Sequence, residues 1–230
     1  MGATLQIRLD GGRIVQPSRA LGLHTFHIRP DECTGLAQIA QLLEQNYHNP
    51  GELEAKCVGL LASLGNPNLN GFAAYNNSQA IKHSPVEQKR RTAIIKTQVH
   101  LKWLLHHAEY GAAFRILLGR VLQQFGLAPT DFARCRHVHF LAQDRAAHAL
   151  FKWHVDNKEN KGLTLNSVTA VVQLSSTCSA MRIFGFADEH RFIGPGAGCG
   201  FLSAAIHKSC QVPLVAGDMP VTLKAVFFLE

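Results

Sequence analysis

The segment Phe151-Lys152-Trp153-His154-Val155-Asp156 constrains the fold and chemistry of this sequence more than any other. On a β-strand, residues two apart point to the same face, so His154 and Asp156 would present a nitrogen and a carboxylate oxygen to one metal ion. The third ligand then has to come from another strand. His207, in the segment Phe201–Ser209, is the candidate.

Two histidines and one carboxylate on one face form the facial triad of iron(II) oxygenases, which leaves coordination positions open. A structural zinc site with four protein ligands would leave none. A His-x-Asp pair alone is common, and the order of the following segments makes it specific. A strand-rich stretch comes next, followed by the glycine-rich turn Gly194–Gly198, a strand from Phe201 that ends in His207, and a closing apolar strand that ends in Phe227-Phe228.

In this order of segments, the chain from about Arg136 to Glu230 resembles the iron(II)/2-oxoglutarate-dependent dioxygenase superfamily. The resemblance implies an α+β fold, with a double-stranded β-helix (jelly-roll) core and supporting helices from the N-terminal half. It also implies that His154, Asp156 and His207 bind Fe(II) and act as the catalytic centre, with 2-oxoglutarate as the cosubstrate.

One departure from the superfamily concerns the cosubstrate anchor, usually an Arg or Lys on the strand after the distal histidine. Matching the final strand by its aromatic end puts Thr222 at that position. Lys224 is two residues later and on the same strand face, which makes it the best substitute, and Arg182 on a neighbouring strand is the second choice. If Lys224 is only a solvated strand end, ascorbate or another keto acid replaces 2-oxoglutarate.

The chain is predicted to form a single oxygenase domain over residues 1–230, with mainly helical support over 1–130 and the β-helix core with its metal site over 131–230. Apolar residues at helical spacing predict helices over 33–47 and 51–64. A further helical pattern begins at Ser84, breaks near Gly111 and stops at Gly126. Strands are predicted over 134–142, 167–174, 180–186, 198–203 and 221–229.

Composition limits the class of protein. Of the 230 residues, 47% are hydrophobic and 17% are charged, as in ordinary globular proteins. No apolar run is long enough to span a membrane, and Met1 to Gln6 do not form a signal peptide, so we expect an intracellular protein of the cytoplasm or nucleus. The six cysteines include no C-x-x-C pair, which argues against a zinc ribbon.

The formal net charge of +7 favours polyanions such as nucleic acid, or anionic small molecules. One substrate hypothesis is therefore a base in nucleic acid, as in the TET/JBP-like and AlkB-like branches of the superfamily, whose spacing between the His-x-Asp pair and the distal histidine is similarly short. The alternative is a protein side chain or a small metabolite. Outside this class, a non-catalytic metal-binding β-barrel and a zinc hydrolase remain, and the sequence leaves the oligomeric state open.

Overall fold

The computed structural model describes residues 7–8, 14–15, 23–33, 94–99, 101–108, 110–144, 153–156, 166–213, 216 and 221–230. Apart from Cys33, the predicted helices over 33–47 and 51–64 and the helix start at Ser84 lie outside these ranges. Within them, no helix has both the length and the apolar character needed to cross a membrane.

The described elements are mainly strands. They are β1 (Ile7–Arg8), β2 (Ile14–Val15), β3 (Leu23–His27), β4 (Ile94–Val99), β5 (Cys135–Asp144), β6 (Val168–Gln173), β7 (Cys178–Ile183), β8 (His190–Ile193), β9 (Ala197–Leu202), β10 (His207–Cys210) and β11 (Val221–Leu229). Two α-helices, α1 (Leu101–His106) and α2 (Gly111–Gln124), lie between β4 and β5. Short 3-10 helices cover Pro30–Glu32 and Phe132–Arg134.

Two antiparallel sheets form the core. The larger sheet has the order β3-β9-β6-β11-β5-β4, and the smaller sheet has the order β10-β7-β8. A bridge between His154 and His207 adds the segment 153–156 to the free side of β10. From β5 onward the chain therefore passes back and forth between the sheets, except at the hairpin of β7 and β8, which stays in the smaller sheet. This winding is the double-stranded β-helix that the family resemblance implied.

Strand β11 runs through the centre of the larger sheet and is buried on both faces. Leu223, Ala225 and Phe227 face one hydrophobic cluster that contains helix α2, while Val226 and Phe228 belong to a second cluster between the sheets. A strand covered on both sides has to be apolar almost throughout. This explains why the chain closes with such a run, and why a polar residue within it needs a separate explanation.

The helical prediction for the N-terminal half is wrong at one described place. Ile94–Val99 is strand β4, paired with β5, and not part of a helix that runs on from Ser84. Leu23–His27, for which no element was predicted, is strand β3, paired with β9 at the other edge of the larger sheet. β-branched residues such as Ile94 and Ile95 favour strands, and pairing with β5 outweighs the helical spacing of the apolar positions. The predicted break near Gly111 and the stop at Gly126, whose φ is +70°, are confirmed.

The segment containing His207 also differs from the prediction of one strand that ends at this histidine. Strand β9 stops at Leu202, the chain turns at Ser203 and Ala204, and His207 begins β10 in the other sheet. The turn is closed by a hydrogen bond of 2.8 Å from the Ala205 N–H to the Leu202 carbonyl. This change of sheet carries His207 to the face where the His-x-Asp segment lies.

Gly200 on β9 lets an aromatic ring lie directly on the larger sheet. A Cβ atom at this position would overlap the ring of Phe125, which follows helix α2. We expect Gly200→Ala to lower the free energy of unfolding by about 1–3 kcal/mol, as overpacking usually does. Urea denaturation measures this, and the loss should shrink in a Phe125→Leu background. An equal loss in both backgrounds would contradict the proposed overlap.

Candidate metal centre

His154 and His207 are held side by side by the backbone. The His154 N–H donates to the His207 carbonyl and the His207 N–H donates to the His154 carbonyl, each at 2.9 Å. Residues paired in this way project to the same face of a sheet. The two imidazole ring centroids are accordingly 4.2 Å apart.

Asp156 is fixed two residues further along the same segment. Its N–H donates to the Ser203 carbonyl at 3.0 Å, in the turn that follows β9. One carboxylate oxygen, Oδ2, lies 3.4 Å from His207 Nε2, and the other, Oδ1, lies 3.9 Å from His154 Nε2. One nitrogen or oxygen from each of His154, Asp156 and His207, which we call the ligand triad, lies within 4.8 Å of the others.

The ring of His207 is oriented with one nitrogen free for a metal. Its Nδ1 lies 3.0 Å from the Ala205 carbonyl oxygen, which accepts only if this nitrogen carries the proton. Nε2 then keeps its lone pair and points towards the Asp156 carboxylate. A backbone carbonyl that fixes the tautomer in this way is a common supporting feature of metal-binding histidines.

Two hydroxyl groups that the sequence did not single out for this role support the Asp156 carboxylate. Thr169 Oγ1, on β6, donates to Asp156 Oδ2 at 3.2 Å and lies 2.9 Å from Ser203 Oγ. Both hydroxyl residues are fully buried. Because one strand was predicted from Phe201 to His207, the position of Ser203 in a turn was not expected. No sequence pattern marked Thr169.

Removal of the Thr169 hydroxyl is expected to weaken metal binding without removing a ligand. We expect Thr169→Val to lower the affinity for Fe(II) about 10–100-fold, the usual cost of losing such a supporting hydrogen bond. Thr169→Ser, which keeps the hydroxyl, serves as the matched control and should bind nearly as the wild type does. Anaerobic calorimetric titration measures both, and equal affinities of Thr169→Val and the wild type would exclude this role.

The ligand triad opens into a pocket between the two sheets. The pocket is lined by residues of the 153–156 segment and of β5, β6, β7, β10 and β11, namely His139, Leu141, His154, Asp156, Val171, Met181, His207, Lys208, Ser209, Lys224, Val226 and Phe228. Most of these side chains are apolar or belong to the triad. The exceptions are His139, Lys208, Ser209 and Lys224.

Lys224 is a buried cation in this pocket. Only 7% of the residue is exposed, and its Nζ lies 4.5 Å above the ring centroid of Phe192. No ion pair joins it to a carboxylate of the described residues. Burial lowers the pKa of Lys224 to about 8. Burial also raises the pKa of the nearby Cys199 thiol to about 12, so this thiol is neutral at pH 7 and supplies no counter-charge.

The other two candidate cosubstrate residues lie elsewhere. Thr222 is buried, but its hydroxyl lies 3.2 Å from Thr177 Oγ1, and it is not among the pocket-lining residues. Arg182 is exposed, and its guanidinium donates to the Ala187 carbonyl at 3.1 Å. It lies on the outer face of β7, because its neighbours Met181 and Ile183 are the buried inward residues of that strand. Of the three candidates, the structure brings only Lys224 into the pocket with the ligand triad.

His139 is buried in the pocket wall. It is 3% exposed, and its ring meets that of Phe228 edge to face, with centroids 4.8 Å apart. His139 both packs on Phe228 and lines the pocket.

No protein-family model and no curated protein matches the chain. Among solved structures, it is similar to a Pseudomonas putida prolyl-4-hydroxylase, with 13% identity, a TM-score of 0.49 and 91% of each chain covered. A Burkholderia pseudomallei oxidoreductase of the 2OG-Fe(II) oxygenase family has 12% identity and a TM-score of 0.34, over 59% of this chain and 65% of that one.

A Trichoplax adhaerens prolyl hydroxylase, solved with a peptide fragment of hypoxia inducible factor, has 12% identity and a TM-score of 0.39, over 82% of this chain and 92% of that one. At these TM-scores and identities the likenesses carry no argument about activity or substrate. The fold assignment rests on the strand order and register of the chain itself.

Proposed function

We propose that this protein is an Fe(II)- and 2-oxoglutarate-dependent oxygenase that hydroxylates a C–H bond of its substrate. One observation carries the proposal. The same pocket contains a His-Asp-His triad and, apart from it, a buried lysine with no carboxylate partner among the described residues. The triad is suited to a metal ion with open positions, and the lysine is suited to an anion that comes from solution.

The donor set fits Fe(II). Two imidazole nitrogens and one carboxylate oxygen approach from one side, and this arrangement is characteristic of non-haem iron(II) oxygenases. A zinc hydrolase with the same ligands does not require a buried cation at another point of the pocket, whereas an oxygenase with a dicarboxylate cosubstrate does. The cation therefore favours an enzyme that binds a carboxylate-bearing cosubstrate.

The register of β11 explains why Lys224 suits the cosubstrate better than Thr222 does. Thr169, which bonds to Asp156, is paired with Phe228, so the metal level of the barrel is near Phe228. Lys224 lies four residues from Phe228, about 14 Å along the strand, and Thr222 lies about 7 Å further away. A long lysine side chain can extend back towards the metal, whereas a threonine hydroxyl cannot.

The buried charge also favours 2-oxoglutarate over ascorbate. A dicarboxylate can bind the metal through its keto-acid end and Lys224 through its far carboxylate, which neutralises a charge that is costly to bury alone. Ascorbate has no terminal carboxylate and would leave Lys224 unpaired. The ammonium of Lys224 would thus bind the far carboxylate as a single charge, where an arginine would bind it with two parallel N–H groups.

The chain's own residues bind, orient and shield. When bound, Fe(II) supplies the activation of oxygen and of the keto acid. The ligand triad holds the ion, Thr169 orients the Asp156 carboxylate, and Lys224 holds the cosubstrate at its far end. The apolar side chains of Val171, Val226 and Phe228 keep water out of the space between metal and lysine.

Two substrate classes follow from the charge of the chain and from the open end of the pocket. The net charge of +7 supports a nucleic-acid base. A protein side chain or small metabolite is supported by the end of the pocket at His154, Lys208 and Ser209, which is half-buried and therefore open to a small group. The described residues also include no element that would recognise a base. Stimulation of cosubstrate consumption by oligonucleotides or by peptides distinguishes the two.

Uncoupled turnover tests the proposed reaction without knowledge of the substrate. The purified protein with Fe(II), oxygen and 2-oxoglutarate labelled at C1 should release labelled carbon dioxide slowly, and it should form an equal amount of succinate. His154→Ala should reduce this release to the level of free Fe(II), whereas His106→Ala, an exposed histidine on α1, should not. Release that is unchanged in His154→Ala would reject the proposal.

A further inference from the structure

The end of the barrel beyond Lys224 is closed by a network of buried polar side chains. This polar floor consists of Gln173, Ser175, Thr177, Ser179 and Thr222. Gln173 accepts a hydrogen bond of 2.7 Å from Ser179 and donates to the backbone and hydroxyl of Thr177. Ser175 and Thr177 hydroxyls are 2.7 Å apart. These polar groups form hydrogen bonds with one another, so the polar floor needs no ligand to complete it.

His190 lies on β8, two residues before Phe192, which is paired with Ser179 of the polar floor. Its Nε2 is buried and has no hydrogen-bond partner among the residues that the structure describes. Buried polar atoms in native proteins nearly always have a partner, so an exception needs an explanation. An imidazole nitrogen of this kind can form a hydrogen bond with a ligand or a water molecule.

His190 is not among the residues that line the pocket, but its side chain lies on the same face of the smaller sheet as a residue that does. His190 is paired with Met181 of β7, which lines the pocket, and paired residues of two strands share a face. The imidazole meets the Phe192 ring edge to face at 4.6 Å between centroids. Lys224 Nζ lies 4.5 Å from the centroid of the same ring. His190 and Lys224 therefore flank Phe192 from opposite sheets.

We propose that His190 is a second cosubstrate-binding residue, whose Nε2–H donates to the far carboxylate of 2-oxoglutarate while Lys224 supplies the charge. The assignment rests on the function proposed above. It gives both oxygens of the carboxylate a donor, which a single lysine does not ensure. His190 and Lys224 together then do what the two parallel N–H groups of an arginine do in one side chain.

The charge state of His190 is compatible with this role. Burial, and secondarily the charge of Lys224, lower the pKa of His190, so the imidazole is neutral at pH 7. A neutral ring protonated at Nε2 donates a hydrogen bond without adding a second positive charge beside Lys224. The pair is thus suited to a single carboxylate at the end of a keto acid.

The consequence is selectivity for the far carboxylate. 2-Oxopentanoate has the same carbon chain as 2-oxoglutarate but ends in a methyl group. His190 should contribute strongly to the binding of 2-oxoglutarate and very little to the binding of 2-oxopentanoate. A packing role for His190 would instead affect both compounds alike.

Anaerobic equilibrium dialysis with Mn(II) in place of Fe(II) measures both dissociation constants without turnover. We expect His190→Ala to weaken 2-oxoglutarate binding about 10–100-fold, as expected for a lost hydrogen bond to a charged group, and to leave 2-oxopentanoate within about twofold. His190→Gln, whose amide can place an N–H near the Nε2 position, should recover part of the loss. Arg191→Ala, next in sequence on the exposed outer face, is the matched control and should change neither constant.

An unchanged constant for 2-oxoglutarate in His190→Ala, or an equal loss for both keto acids, would overturn the role of His190. Failure of the wild type to bind either compound would instead reject the proposed function, so the two failures are distinguishable. Circular dichroism and thermal unfolding of each variant identify any loss that arises from misfolding.

Discussion

Asp156→Ala is expected to abolish Fe(II) binding at the proposed site, with an affinity loss of more than about 100-fold, beyond that of losing a supporting hydrogen bond. Asp156 is the only carboxylate in the described pocket lining. Its removal leaves two neutral imidazoles, which cannot balance the charge of the ion. Anaerobic calorimetry of the metal-free protein with Fe(II) gives the affinity and the stoichiometry.

The matched control for this variant is Asp188→Ala, which removes an exposed carboxylate from the turn between β7 and β8. It should bind one Fe(II) per chain as the wild type does. We expect Asp156→Ala to remain folded, because the backbone hydrogen bond from the N–H of residue 156 to the Ser203 carbonyl does not depend on the side chain. Retention of wild-type affinity by a folded Asp156→Ala protein would show that the metal site is elsewhere.

Lys224→Met is expected to have opposite effects on ligand binding and on stability. Without the ammonium group, the dissociation constant of 2-oxoglutarate should rise about 100-fold or more, since a buried carboxylate would lose its charged partner. The cosubstrate-free protein should become more stable, because a buried unpaired charge is replaced by an apolar side chain of similar length. Equilibrium dialysis and thermal unfolding measure the two effects.

The pH dependence follows from the pKa of Lys224, which burial lowers from 10.5 to about 8. Cosubstrate affinity should be highest below pH 8, where the ammonium is charged, and should fall as the pH rises through this value. In the cosubstrate-free protein, the unfolded chain holds the lysine proton more tightly between pH 8 and 10.5. Lys224 therefore lowers the free energy of unfolding by its full amount below pH 8, and this loss disappears as the pH approaches 10.5. The stability that Lys224→Met gains over the wild type should shrink over the same interval.

Arg182→Met is the matched control for these measurements. Arg182 is exposed on the outer face of β7, and its guanidinium donates to the Ala187 carbonyl. Its replacement should leave the cosubstrate constant and its pH dependence unchanged. An unaltered 2-oxoglutarate constant in Lys224→Met would show that another residue anchors the cosubstrate, or that a different cosubstrate is used.

The β-helix core could be predicted from the sequence because its strands carry strong local patterns. Val221–Leu229 was predicted with its observed limits, since a strand buried on both faces has to be a continuous apolar run. The spacing of His154 and Asp156 by two residues, and the order of the segments up to His207, marked the residues that the structure brings together.

The edges of the sheets could not be predicted in the same way. The segment Ile94–Val99 has apolar residues at a spacing that also suits a helix, and only its pairing with β5 makes it a strand. The four-residue strand β8 is too short to show a period, so the position of His190 was not foreseen. Thr169 and Ser203 act through a hydrogen bond across 34 positions of the chain, which no local pattern encodes.

The cosubstrate candidates show the limit of matching a motif by its aromatic end. The sequence match put Thr222 at the usual anchor position, but it could not say how deep in the barrel each residue of β11 lies. The pairing of β11 with β6 gives that depth, because Thr169 ties Phe228 to the level of Asp156. Arg182 was excluded by strand parity, once the inward residues of β7 were known.

The most direct test of the central claim is anaerobic visible absorption spectroscopy of the protein titrated with Fe(II) and 2-oxoglutarate. Binding of the keto acid to iron at the triad predicts a weak charge-transfer band that requires both components, saturates at one of each per chain and is absent in Asp156→Ala. A wild-type protein that binds Fe(II) but gives no such band with 2-oxoglutarate, or a band that persists in Asp156→Ala, would contradict the account.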